Sequence, residues 1–255
     1  MKHPGNLMPP KITSKTVAQL KDVRFRWNRR QTEALNIPSL TVAPGEQLFI
    51  AGPSGSGKST LLSLLAGVIT PQCGEVNLLG QRLDNLSGAE RDQFRADHIG
   101  FIFHEFNLIP YLSTVDNVTL PCRFSHIRRK RAEQAGGSLN GEALRLLQHL
   151  ELDDQEMQSR SVMELSVGQQ QRVASARALI GSPELLIADE PTSALDSDMR
   201  SNFLELLFAE CRERSTTLIF VSHDKSLQPR FSRALSMAEI NRPSQAAVVP
   251  MKGKS

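Results

Sequence analysis

The stretch Gly52-Pro53-Ser54-Gly55-Ser56-Gly57-Lys58-Ser59-Thr60 constrains this chain more than any other, and it directly follows the apolar run Gln47-Leu48-Phe49-Ile50-Ala51. It fits G-x-x-x-x-G-K-[ST], a loop that cradles phosphate between a strand and a helix. The glycines keep Cβ atoms out of the way, so that backbone N–H groups can converge on phosphate oxygens. The helix expected from about Ser59 points its positive end at the same oxygens. In that pattern Lys58 reaches the β- and γ-phosphates of a nucleoside triphosphate and the Ser59 hydroxyl binds Mg²⁺. The phosphate-binding set is therefore residues 52–60 as a whole.

Two further apolar runs read as buried strands. Leu185-Leu186-Ile187-Ala188 ends on Asp189-Glu190, and Thr217-Leu218-Ile219-Phe220-Val221 ends on Ser222-His223. Continuously apolar strands are covered on both faces, as in a parallel sheet flanked by helices. Their polar ends lie where open α/β sheets place their sites. An Asp closing such a strand is the usual anchor of the Mg²⁺ shell, and a Glu directly after it can accept a proton from an attacking water. Helices are expected after the loop, from a capping box at Ser87, over 142–152 with Leu144, Leu146, Leu147 and Leu150, and over 197–211 with Met199, Phe203, Leu206 and Leu207 on one stripe. Residues 126–141, basic and glycine-rich, read as an exposed insertion between helices.

A chain of 255 residues is enough for one large α/β domain. Its net charge of +3 is too small to argue for nucleic acid. Cys73, Cys122 and Cys211 are odd in number and widely spaced. They are expected to be buried thiols in a reducing compartment. The densest apolar run, residues 61–69, is far short of the ~20 residues a membrane span needs, and the start of the chain lacks the apolar core of a signal peptide. A cytoplasmic location follows, with any membrane association supplied by a partner. Residues 1–15 and 241–255 are expected to fray.

Leu165-Ser166-Val167-Gly168-Gln169-Gln170-Gln171-Arg172, with the helix after it, resembles the LSGGQ signature of the ABC ATPases. The order along the chain also matches: phosphate loop, signature, Asp189-Glu190, Asp196, His223. The resemblance covers about residues 17–235. It implies a P-loop NTPase (RecA-like) α/β fold: a parallel-sheet core, an N-terminal antiparallel β lobe and a helical lobe near 105–165, within a domain spanning 16–240. It also implies an ATP-hydrolysing subunit that dimerises around two ATP molecules beneath a membrane permease encoded elsewhere. Ser166, Gly168 and Gln169, at a helix N-terminus, would face the ATP of a second copy, and Asp196 would lie at that dimer interface. Asp189 would hold the Mg²⁺ shell, Glu190 polarise water, and His223 contact the γ-phosphate. Trp27 stands where an aromatic stacks on adenine, with Phe25 on the same strand face as the fallback. The run Arg128-Arg129-Lys130-Arg131 is expected to be solvated, or else to touch anionic lipid or the permease.

Two positions depart from the family's pattern. Val167 stands where Gly is usual. His104 stands where a Gln normally meets Mg²⁺ and the attacking water. A neutral imidazole supplies one acceptor and loses it on protonation, so slow or acid-sensitive turnover is expected. The stretch from Phe106 to Pro121 is similar to the lipoprotein-release, macrolide-export and cell-division group, whereas Pro191 to Asp196 is nearer the amino-acid importers. A soluble ABC ATPase without a transport role and a kinase or GTPase are the alternatives. The first usually carries a long coiled-coil insertion, and a GTPase needs an Asn/Thr-Lys-x-Asp selector that the chain lacks.

Overall fold

The computed structural model describes residues 16–28, 32–152, 160–193 and 195–242. Two sheets form the frame. The antiparallel one has the order β2-β1-β4-β5, built from β1 (Ala18–Phe25), β2 (Leu35–Val42), β4 (Cys73–Leu78) and β5 (Gln81–Arg82). The five-stranded parallel sheet runs β6-β7-β8-β3-β9. Its strands are β3 (Gln47–Ala51), β6 (Ile99–Ile102), β7 (Leu185–Asp189), β8 (Thr217–Ser222) and β9 (Arg233–Ser236). Neighbouring side chains on a strand face opposite ways, and here they feed two different cores. Leu48, Ile50, Ile187 and Ile219 join a cluster with the antiparallel sheet and α1 (Lys58–Leu65). Phe49, Ala51, Leu186 and Phe220 join the helical side. That two-sided burial is why these strands read as continuous apolar runs.

The helical side comprises α3 (Thr114–Thr119), α4 (His126–Gly136), α5 (Leu139–His149), α6 (Val167–Leu179) and α7 (Ser197–Glu213). The turn ahead of α3 is held by Asn117, fully buried, whose amide bonds the backbone of Ile109, Leu112 and Ser113. The capping box expected at Ser87 is present, opening α2 (Gly88–His98). In α5 the buried positions include Leu146 and Leu147, as the spacing requires. In α7 the buried stripe is Phe203, Leu204, Leu207, Phe208 and Cys211. Met199 is instead 45% exposed, like its first-turn neighbours Ser197 and Asp198.

Residues 126–141 are largely exposed, but they are no insertion between helices, for they form α4 and the start of α5. Ser125 caps α4, Gly137 ends it with φ +71°, and Ser138 caps α5 at once. A Cβ on Gly136 would sit 2.2 Å from the Glu142 nitrogen, so only glycine lets the two helices turn this tightly. Nor is the basic run solvated throughout. Arg129 and Lys130 are exposed, but Arg128 is 2% exposed and donates to the carbonyls of Ile99, Arg177, Ala178 and Ile180. The last carbonyls of α6 lack intrahelical partners and carry its negative end, so a guanidinium is held there. Burial pushes its pKa down to about 10. Arg131 reaches the Ser182 carbonyl and Glu184.

Cys122 and Cys211 are buried free thiols, while Cys73 is exposed at the start of β4. Of the stretch expected to fray from 241, Asn241 and Arg242 are instead tied to β2. Residues 1–15 and 243–255 lie outside the described residues. No helix among those described is long and apolar enough to cross a membrane.

Candidate nucleotide site

β3 runs straight into the phosphate loop. Gly55 and Gly57 adopt φ of +76° and +97°, and Gly57 is the N-cap of α1. A Cβ on Gly52 would come within 2.6 Å of Ser56 Oγ and 2.8 Å of the Met237 side chain. Glycine is therefore required at 52 by crowding and at 57 by backbone conformation. Lys58 Nζ donates to the carbonyls of Gly52 (2.8 Å) and Pro53 (3.1 Å). This places the ammonium at the loop's mouth, 3.9 Å from Glu190 Oε1.

The strand order brings the remaining polar residues alongside. β8 pairs with both β3 and β7, so the ends of all three strands adjoin the loop. Asp189 Oδ2 lies 3.4 Å from Ser59 Oγ. Burial raises the Asp189 carboxyl pKa above the usual value, and the Glu190 charge raises it further. Glu190 holds φ +48°, an uncommon conformation for a side-chain-bearing residue. It is fixed there by its N–H donating to the Val221 carbonyl. Its Oε2 accepts from Ser222 Oγ at 2.9 Å and lies 2.9 Å from His223 Nδ1. β6 pairs with β7 and delivers His104, whose Nε2 is 3.4 Å from Ser193 Oγ.

Lys58, Ser59, Asp189, Glu190, His104 and His223 all line one cavity of about 660 Å³. Trp27 and Ala34 line it as well. The Trp27 ring is 60% exposed and meets Phe25 edge-on, with centroids 5.1 Å apart. Phe25 is buried and does not line the cavity. The signature residues are elsewhere. Ser166 caps α6 reciprocally with Gln169, its Oγ accepting from Gln169 N and its N–H donating to Gln169 Oε1. Asp196 Oδ1 accepts from Met199 N at the start of α7. Neither they nor Gly168 line the cavity. A Cβ on Gly168 would meet Leu195 at 3.6 Å, an ordinary contact, so among the described residues no packing requires glycine there.

Sequence reasoning missed Ala34 and Ser193, which carry no motif, and placed Ser222 at a strand end without giving it a role. It also missed Arg177, the buried arginine of α6, which donates to the Phe106 and Asn107 carbonyls in the turn after His104. Its signal was a charge among the small apolar residues of that helix.

A glycine loop with its lysine, an Asp-Glu strand end and an adjoining antiparallel sheet define a P-loop nucleotide-binding cassette. The model of the family described as ABC transporter matches residues 35–193. The chain belongs to the ABC transporter family, as an ATP-binding protein with the ABC ATPase cassette fold. It is 44% identical over 198 residues to the uncharacterized ABC transporter ATP-binding protein YbbA of Escherichia coli K12, covering 78% of this chain and 83% of YbbA. It is 42% identical over 186 residues to the ABC transporter ATP-binding protein YtrE of Bacillus subtilis, covering 73% and 77%. Among solved structures, the dimeric post-hydrolysis state of the cassette MJ0796 bound to ADP and Pi superposes with a TM-score of 0.74 at 35% identity. That match spans 89% of this chain and 98% of the other.

Proposed function

We propose that this chain is the motor subunit of an ABC transporter, of the export or lipoprotein-release type, hydrolysing ATP as a dimer to drive a separate permease. The observation that carries the reading is the convergence of Lys58, Ser59, Asp189, Glu190, His104 and His223 on one cavity. In this reading residues 52–60 bind the phosphates. Glu190, braced by Ser222, accepts the proton of the attacking water, and His223 contacts the γ-phosphate. A hydroxyl and a carboxylate 3.4 Å apart, Ser59 and Asp189, are the hard oxygen donors Mg²⁺ takes. Mg²⁺, when bound, neutralises charge on the β- and γ-phosphates. Ser166, Gly168, Gln169 and Asp196 close the site of a second copy, a role supported by their lying outside their own chain's cavity.

The permease contact is a groove lined by Phe101, Phe103, Pro121 and Phe124 between α2 and the helical lobe, with Phe124 66% exposed. Through it the chain sits on the cytoplasmic face of the membrane. Phosphate release from MgATP, measured with and without the co-expressed permease, tests the whole reading. No turnover in either condition would end it.

Stacking of adenine on Trp27, the one tryptophan, contributes on the order of 1–3 kcal/mol. ATP should quench or shift its fluorescence, and Trp27→Ala should weaken ATP binding by roughly 5- to 100-fold. Unchanged affinity removes Trp27 from the site. His104 supplies an imidazole acceptor that exists only in the neutral ring. His104→Gln, which restores an amide oxygen as acceptor, should therefore raise phosphate release several-fold at neutral pH. Equal rates would make the replacement neutral.

A further inference from the structure

The residues after β9 support the nucleotide site from behind. The short helix α8 (Met237–Ile240) opens with a reciprocal Ser236–Glu239 cap and buries Met237 and Ile240. The Met237 side chain occupies the space beside Gly52. Asn241 follows, 8% exposed. Its Oδ1 accepts from Asn36 N at 2.7 Å. Its Nδ2 donates to the Ala34 carbonyl at 3.0 Å and the Ser56 carbonyl at 3.4 Å. The Arg242 N–H donates to the Asn36 carbonyl at 2.8 Å and closes the same junction.

The two carbonyls belong to two segments that meet at Gly57: the chain just ahead of β2 and the phosphate loop. Ala34 lines the cavity and its N–H donates to the carbonyl of Phe25, the ring against which Trp27 rests. Ser56 precedes Gly57 in the phosphate loop, and a Cβ on Gly57 would lie 3.0 Å from the Ala34 oxygen and 3.4 Å from Asn241 Nδ2. One buried amide therefore ties the chain ahead of β2 to the phosphate loop.

We propose that Asn241 is a positioning residue that sets the distance between the base platform and the phosphate loop. This rests on the reading of Trp27 as the platform for the base. A carboxamide is suited to the task because it offers two donors and an acceptor in one plane. An alanine offers neither, and an aspartate keeps the acceptor for Asn36 but turns a second oxygen on two carbonyls. When the brace is lost, a ligand that spans platform and loop must fix their spacing itself. A ligand that touches only the phosphate loop does not.

The test compares MgATP with magnesium tripolyphosphate, both titrated calorimetrically into the full chain. Wild type, Asn241→Ala and Asn241→Asp are measured, with melting temperatures alongside. ATP affinity should fall about tenfold in Asn241→Ala, the size of one neutral hydrogen bond, and further in Asn241→Asp. Tripolyphosphate affinity should stay within about twofold, since its contacts are those of the loop alone. Unchanged ATP affinity in both variants overturns the proposal. An equal loss for both ligands also overturns it, because that marks a general packing defect. Should the alanine variant not fold, the near-isosteric aspartate carries the comparison. Trp27→Ala, run in parallel, separates the two readings. If it binds ATP as wild type does, the stacking assignment fails on its own, whereas failure of the brace shows only in the Asn241 variants.

Discussion

Glu190→Gln should cut phosphate release by roughly 10²- to 10⁴-fold, the range a positioned general base contributes, while leaving ATP binding intact. The substitution is close to isosteric. The Glu190 side chain sits in a fixed pocket, with its Oε2 taking the Ser222 hydroxyl at 2.9 Å. An amide oxygen can still accept from that hydroxyl. What the amide cannot do is take a proton from water. The variant should therefore hold ATP unhydrolysed between two copies. Light scattering should give a dimer with MgATP and a monomer without it. The dimer is expected because Ser166 and Gly168 lie outside their own chain's cavity, at a helix N-terminus suited to an anion. Turnover at the wild-type rate would exclude Glu190 as the base. A monomer at saturating ATP, even with permease present, would count against the sandwich.

Arg145→Leu should destabilise the fold by about 3–5 kcal/mol, the cost of breaking a buried ion pair from one side. Arg145 bridges α5 to α7: it donates to Glu142 at 2.9 and 3.0 Å and to Glu210 at 2.5 and 3.2 Å. Both carboxylates are almost wholly buried, with side chains 2% and 1% exposed. Arg214 donates to the same two carboxylates, at 3.3 Å to Glu142 and 3.4 Å to Glu210, and His149 stands 3.7 Å from Glu210, so the loss should fall at the lower end of that range. Burial by itself would raise the Glu210 pKa, but the Arg145 hydrogen bond and the charges of Arg145, His149 and Arg214 hold it below the usual 4.5. A carboxyl depressed in the folded state stabilises the fold above its unfolded value and loses that contribution as pH falls through the folded value. The gap between wild type and Arg145→Leu in urea unfolding should thus be full at pH 7 and shrink below about pH 4.5. A difference under about 1 kcal/mol at pH 7 would mean the cluster is a solvated pair in practice.

The phosphate loop, the signature and the two strand ends were legible because each is local. A glycine at 57 answers to its own φ, and Asp189 and Glu190 follow from where an apolar run stops. Periodicity found α5 but set it at 142–152, three residues late against Leu139–His149, and it erred at the first turn of α7, where Met199 fits the stripe but is 45% exposed. The basic run at 128–131 misled for a different reason. Charge density predicts solvation on average, yet whether an arginine meets water or helix carbonyls depends on which helix end lies beside it. That helix, α6, is about 50 residues farther along the chain.

By itself the sequence set the chemistry on offer: a phosphate-loop pattern at residues 52–60, carboxylates that close an apolar strand, and a two-faced parallel sheet to carry them. Spacing and side-chain type suffice for those statements, because backbone conformation and hydrogen-bonding capacity are properties of the residue and its neighbours. Tertiary structure decided the distances. The strand order β6-β7-β8-β3-β9 is what puts His104, Asp189 and His223 beside Lys58. That order is selected by burying both faces of the sheet at once, a sum over contacts from every part of the chain. The same holds for Asn241, whose three side-chain hydrogen bonds each cross more than 180 residues. No local pattern encodes such a contact. It exists because a buried amide must be satisfied, and only the packed chain supplies the partners.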